Sequence, residues 1–94
     1  MHVVGFEVEI RIPGSHSLKD RRQVVRSVLD GARQRFGVSV AEVGGQDTWQ
    51  RATLGFAVVG SEARLAEDVV DQLDRFLWSR PELEVVDART SWLD

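Results

Sequence analysis

The sequence predicts a two-layer α+β sandwich, four strands and two helices in the order strand–helix–strand–strand–helix–strand. Three observations carry that expectation. Several segments alternate apolar and polar residues with a period of two, two longer ones repeat apolar residues at helical spacing, and glycine or proline stands at most of the junctions. The 94 residues suffice for one domain, taken as residues 1–94, and are too few for two.

The first strand is read from Val4, Phe6, Val8, Ile10 and Ile12, which alternate with Gly5, Glu7, Glu9 and Arg11. Pro13 and Gly14 end it, since proline lacks a ladder donor and glycine permits the turn. Ser17 offers a helix cap, and Asp20 suits the positive helix end. Leu18, Val25, Val28, Leu29, Ala32 and Phe36 then follow at helical spacing, and Gly37 stops the helix in a left-handed conformation. Val38 to Val43 is short and β-branched, a second strand. A turn through Gly44, Gly45, Gln46, Asp47 and Thr48 leads to a third strand from Trp49 to Val59, with Ala52, Leu54, Phe56 and Val58 on one face and Arg51, Thr53, Gly55 and Ala57 on the other. Gly60 breaks that strand and Ser61 is the expected cap of a second helix, whose stripe is Leu65, Ala66, Val69, Val70, Leu73, Phe76 and Leu77. Pro81 marks its exit. Val85, Val86 and Ala88 lead into Trp92 and Leu93 as a fourth strand of uncertain register, because its apolar residues fall on both faces.

Two helical stripes and four one-sided strands are buried together most economically by one antiparallel sheet with both helices on the same side. Right-handed crossovers put the first and third strands at the centre, in the spatial order 4-1-3-2. This is the ferredoxin-like βαββαβ sandwich, whose outer sheet face stays open.

Composition narrows the chemistry. The absence of cysteine excludes disulfides, thiolate metal sites and cysteine nucleophiles, and fits a reducing compartment. The N-terminus has no basic lead or apolar run of a signal peptide, and no stretch nears the roughly 18 apolar residues of a membrane span, so a cytoplasmic protein with no membrane partner is expected. The net charge is −3, yet residues 11–35 hold seven bases against two acids. A basic segment on an acidic body suits an anionic partner. The bland account is a solvated helix face.

The residue constellations that would name a reaction are missing, so no catalytic, metal-binding or cofactor-binding residue is assigned and a non-enzymatic role is expected. Acylphosphatases share this topology but need an arginine and backbone amides in the first loop and an asparagine that orients water. Here the loop Ile12 to Ser17 holds Pro13 and no arginine, and the chain contains no asparagine. His2 and His16 stand at opposite ends of the first strand, too far apart to share an ion. Ser17 is better used as a cap than in a triad with His16. Glu7 and Glu9 point the same way, about 7 Å apart, a workable acid–base spacing that a solvated face also explains. Arg51 on the neighbouring strand is placed to pair with one of them.

Two surfaces are left as binding candidates. Lys19, Arg22, Arg26 and Arg33 follow steps of three, four and seven residues, so they line one solvent face of the first helix and can track the phosphates of structured RNA. The open sheet face lacks the stacking rings of an RRM, since Phe6 and Phe56 fall on the core side and Glu7 and Glu9 would repel phosphate. Its small residues, Gly5, Thr53, Gly55 and Ala57, admit a second layer, so a homodimer with Trp49 at its rim, or a regulatory domain binding a small ligand there, is the alternative expectation.

Three runs extend the reading: Ser17-Leu18-Lys19-Asp20-Arg21-Arg22; Phe36-Gly37-Val38-Ser39-Val40-Ala41-Glu42-Val43; and Asp47-Thr48-Trp49-Gln50-Arg51-Ala52-Thr53-Leu54-Gly55. In this order the chain resembles the bacterial YlxP-like family, the domain of unknown function 503, over nearly its whole length. The resemblance implies a ferredoxin-like fold in a cytosolic bacterial protein, and no established activity. It also implies genes that tend to lie beside translation and ribosome-maturation factors, which makes a ribosomal subunit the expected source of the RNA. Members often carry asparagine where this chain has Gly37. Both residues tolerate a left-handed conformation, so the helix stop is kept.

Overall fold

A computed structural model describes residues 1–45 and 48–93. The elements are β1 (His2–Arg11), α1 (Leu18–Phe36), β2 (Ser39–Gly44), β3 (Arg51–Gly60), α2 (Ala63–Trp78) and β4 (Glu84–Trp92). The strands form one antiparallel sheet in the order β2-β3-β1-β4, the arrangement predicted. The register explains the faces. Phe6 stands opposite Phe56 and Val8 opposite Leu54, and with Val4, Ile10, Ala52 and Val58 they are buried beneath the helices. The two rings lie 6.1 Å apart, a cross-strand aromatic pair worth about 0.5–1.5 kcal/mol beyond its buried area.

Both helices close the same side. Val25, Val28 and Ala32 of α1 and Ala66, Val70, Leu73, Phe76 and Leu77 of α2 complete the core. Where the helices meet, Phe36 packs edge-on against Phe76 at 5.7 Å, and Gly31 leaves room for that ring: a Cβ there would sit 3.2 Å from Phe76 Cζ. Ser17 caps α1 as expected, accepting the Asp20 amide on Oγ at 3.1 Å, while Asp20 Oδ2 reaches back to accept the His16 amide at 3.1 Å. Gly37 takes φ 64° and donates its amide to the Arg33 carbonyl at 3.0 Å.

Two expectations need correction, and the open register of β4 is settled. Ser61 is not the cap of α2: Glu62 holds that position, and no side chain caps the helix. Gly60 packs close to the helix start: a Cβ there would lie 3.1 Å from the Ala66 nitrogen. Trp49 belongs to the turn before β3, not to the strand, which begins at Arg51. In β4, Ile10 faces Val85 and Glu9 faces Asp87, so Val86 is an extra residue without a partner. That bulge is why apolar residues fall on both faces of the strand. Gln46 and Asp47, part of the expected β2–β3 turn, lie outside the described residues.

Candidate nucleic-acid interface on the first helix

The four residues before Val25 decide how α1 presents its charge. Arg21 continues the apolar stripe (21, 25, 28, 32) and points inward, with only 2% of its surface exposed. Its Nε donates to the Arg51 carbonyl at 2.8 Å, and its Nη2 donates to the Gly45 carbonyl at 2.7 Å and pairs with Glu42 Oε1. Glu42 faces the helix side because it shares parity with Val40 on β2. The planar guanidinium suits this task, since it serves several acceptors from one rigid fork. Arg21 therefore latches the start of α1 to both strands of the β2–β3 hairpin. By charge alone Arg21 is one more base of the segment. Its four-residue step to Val25 was the signal that it belonged inside.

With Arg21 turned in, Lys19, Arg22 and Arg26 turn out. All three are exposed, and none pairs with an acid among the described residues. Arg33 is exposed as well and holds Asp30 at 3.1 Å. Of the other bases in the segment, Arg11 contacts Glu84 at 3.8 Å, and Arg35 lies over the rings of Phe36 and Phe76 at 5.7 and 5.9 Å. Arg22, Arg26 and Arg33 border a groove between α1 and the edge strand β2, with Val25, Leu29 and Val40 lining it and Asp30 and Glu42 as its acids. From Arg22 to Arg33 the row runs about 17 Å. Across the helix layer, the exposed side of α2 carries the acids Glu67, Asp68 and Asp71 together with Arg64 and Arg75, so the more cationic surface lies on the α1–β2 side.

The second predicted surface divides. Gly5, Thr53, Gly55 and Ala57 share the outer sheet face, where Gly5 and Gly55 floor a hollow bordered by Val43, Glu7, Arg89 and Ser91. Trp49 is 54% exposed but lies beside Leu18 at the start of α1, in a concavity with Thr48, Gln50 and Arg51, away from that hollow. Glu9 on this face stands opposite Thr53 and pairs diagonally with Arg51 at 2.7 Å, and Glu7 lies 3.9 Å from Arg89, its partner on β4. Among the described residues, no three acids or histidines gather as metal ligands, and no helix is long and apolar enough to cross a membrane.

Residues 3–90 match the family model described as "Protein of unknown function (DUF503)". The chain belongs to this family. A DUF503 relative, the "Uncharacterized protein YlxP" of Bacillus subtilis (strain 168), is 38% identical over 91 residues, covering 96% of this chain and 99% of its own. Similar solved structures bear on the fold alone. The de novo designed protein Foldit4 aligns with a TM-score of 0.60 at 17% identity, over 95% of this chain and 96% of its own. The de novo designed protein LFR1 1, described as having a ferredoxin fold, aligns with a TM-score of 0.54 at 12% identity, over 100% of this chain and 87% of its own.

The three runs that resemble the DUF503 family converge on Arg21. The first supplies Arg21 and the Ser17 cap, the second supplies Glu42, and the third supplies the Arg51 carbonyl. Gln50 adds a tie from the same run, donating Nε2 to the Ser15 carbonyl at 3.3 Å. Those runs hold the start of α1 against the hairpin, and that placement turns Lys19, Arg22 and Arg26 to the solvent.

Proposed function

We propose that this DUF503 chain is a non-catalytic interaction domain that docks on structured RNA of the ribosome through the basic face of α1. The carrying observation is that Lys19, Arg22 and Arg26 are exposed and unpaired among the described residues while Arg11, Arg21, Arg33 and Arg51 are each engaged with an acid. Unneutralised cations in a row beside a groove suit phosphates, whose binding releases counterions and reads no base. The test replaces Lys19, Arg22 and Arg26 with glutamate and follows association with purified ribosomal subunits across a salt series. Loss of three phosphate contacts should lower the slope of log K against log salt by about 2–3 and weaken binding at every salt concentration. Association unchanged by the three reversals removes the reading.

The alternative, assembly through the outer sheet face, is supported by the hollow over Gly5 and Gly55. Against it stand the Glu9–Arg51 and Glu7–Arg89 pairs on the same face, which a second layer would have to strip of water.

A further inference from the structure

The edge strand β4 carries a pattern that its own chain does not use. It pairs on one side with β1, and its other side is open. The Leu93 amide donates to the Val3 carbonyl at 2.9 Å, so by the two-residue alternation of an antiparallel ladder Ser91, Arg89 and Asp87 also bond toward β1, and Thr90 and Ala88 turn their amides to the open side. The Ala88 amide confirms the parity: it donates to Asp87 Oδ1, its own neighbour's carboxylate, at 3.0 Å. Asp87 is meanwhile poorly matched within the chain. Its cross-strand partner on β1 is Glu9, a like charge. Arg89 is 71% exposed on its side chain and only loosely held, 3.9 Å from Glu7.

We infer that β4 pairs antiparallel with β4 of a second copy of this chain, about a two-fold axis at Ala88. That axis sets Ala88 opposite Ala88 as a hydrogen-bonded pair, with the amide now donated to the second copy's carbonyl. It sets Asp87 opposite Arg89, twice, in the non-hydrogen-bonded positions where side chains come closest. The carboxylate that covers the Ala88 amide in the single chain is released to the arginine across the axis. The occupant is a second copy because the sequence Asp87-Ala88-Arg89 is its own charge complement when run backwards. The pairing draws Arg89 away from its loose contact with Glu7 but leaves the Glu9–Arg51 pair in place, and it leaves β2 and the groove beside α1 free at the far edge of the sheet.

So short a ladder covers far less than the ~1,600 Å² of a standard interface, so a weak, concentration-dependent dimer is expected. Sedimentation equilibrium from about 1 µM to about 1 mM should show a monomer becoming a dimer. D87R and R89D should each stay monomeric, because each sets like charges opposite one another, with melting curves confirming that both fold. Mixing the two single variants should produce heterodimers, since one chain then offers two arginines and the other two aspartates. The double variant D87R/R89D should dimerise like the parent. A parent chain monomeric at the highest concentration, a dimer indifferent to both single changes, or a mixture that forms no heterodimer overturns the inference. Indifference to the charges would point to the outer sheet face instead. The result is independent of RNA association, which the substitutions on α1 test separately.

Discussion

At the scale of single residues, the decisive side chain is a buried cation that an inspection of charge alone misassigns. Removing Arg21 leaves the Arg51 carbonyl and the partly buried Glu42 carboxylate without this donor, and leaves the Gly45 carbonyl to Thr48 alone. Breaking a buried pair from one side costs about 3–5 kcal/mol. R21A should therefore lower Tm by more than about 12 °C in a domain of this size. R21K should recover little, because an ammonium on a flexible stem lacks the rigid fork that reaches Arg51 O, Gly45 O and Glu42 together. E42Q keeps an acceptor in place and should cost only about 1 kcal/mol. Thermal melts of the three variants check the order, and equal losses for R21A and E42Q would mean that the two carbonyl bonds contribute nothing. Gly55 makes a second point at this scale. A Cβ there would stand 2.9 Å from Val43 Cγ1, so G55A should destabilise the β2–β3 pair although the position faces the outside of the sheet.

At the scale of elements, the two helices differ in how they begin. Ser17 accepts a first-turn amide, whereas Ser61 lies outside α2 and caps nothing. S17A should cost about 1 kcal/mol and S61A less than about 0.5 kcal/mol, read from urea midpoints at constant m. The contrast shows what is legible in the chain and what is not. Period-two alternation in β1 and β3 states which face is buried, because each strand has one wet side and no irregularity. The stripe and caps of α1 are equally plain. Ser61 misleads as a signal because a serine before a helix looks alike one residue inside or outside the cap. The existence of β4 is legible but its register stays open, because one unpaired residue, Val86, shifts the phase of everything after it. In the candidate site, the exposed row of Lys19, Arg22, Arg26 and Arg33 was readable from helical steps. The inward turn of Arg21 needed its acceptors, which lie 21 to 30 residues away in sequence.

At the scale of the whole molecule, one layer of the sandwich is split by charge. Packed helices lie about 8–10 Å apart, so the acids of α2 stand near the distance over which salt screens charge, about 8 Å at 0.15 M and about 30 Å at 0.01 M. An anionic partner seated on α1 is thus repelled by Glu67, Asp68 and Asp71 in dilute buffer and hardly affected by them in a physiological one. Neutralising those three acids with E67Q, D68N and D71N should raise association with ribosomal subunits several-fold at about 0.02 M salt and leave it within twofold at about 0.3 M. The reversals on α1 should weaken binding at both, because contacts made directly to phosphate are screened much less than charges standing across the layer. A gain of equal size at every salt concentration would place the α2 acids in the contact itself. The partner would then span both helices, and the groove between α1 and β2 would no longer define its footprint.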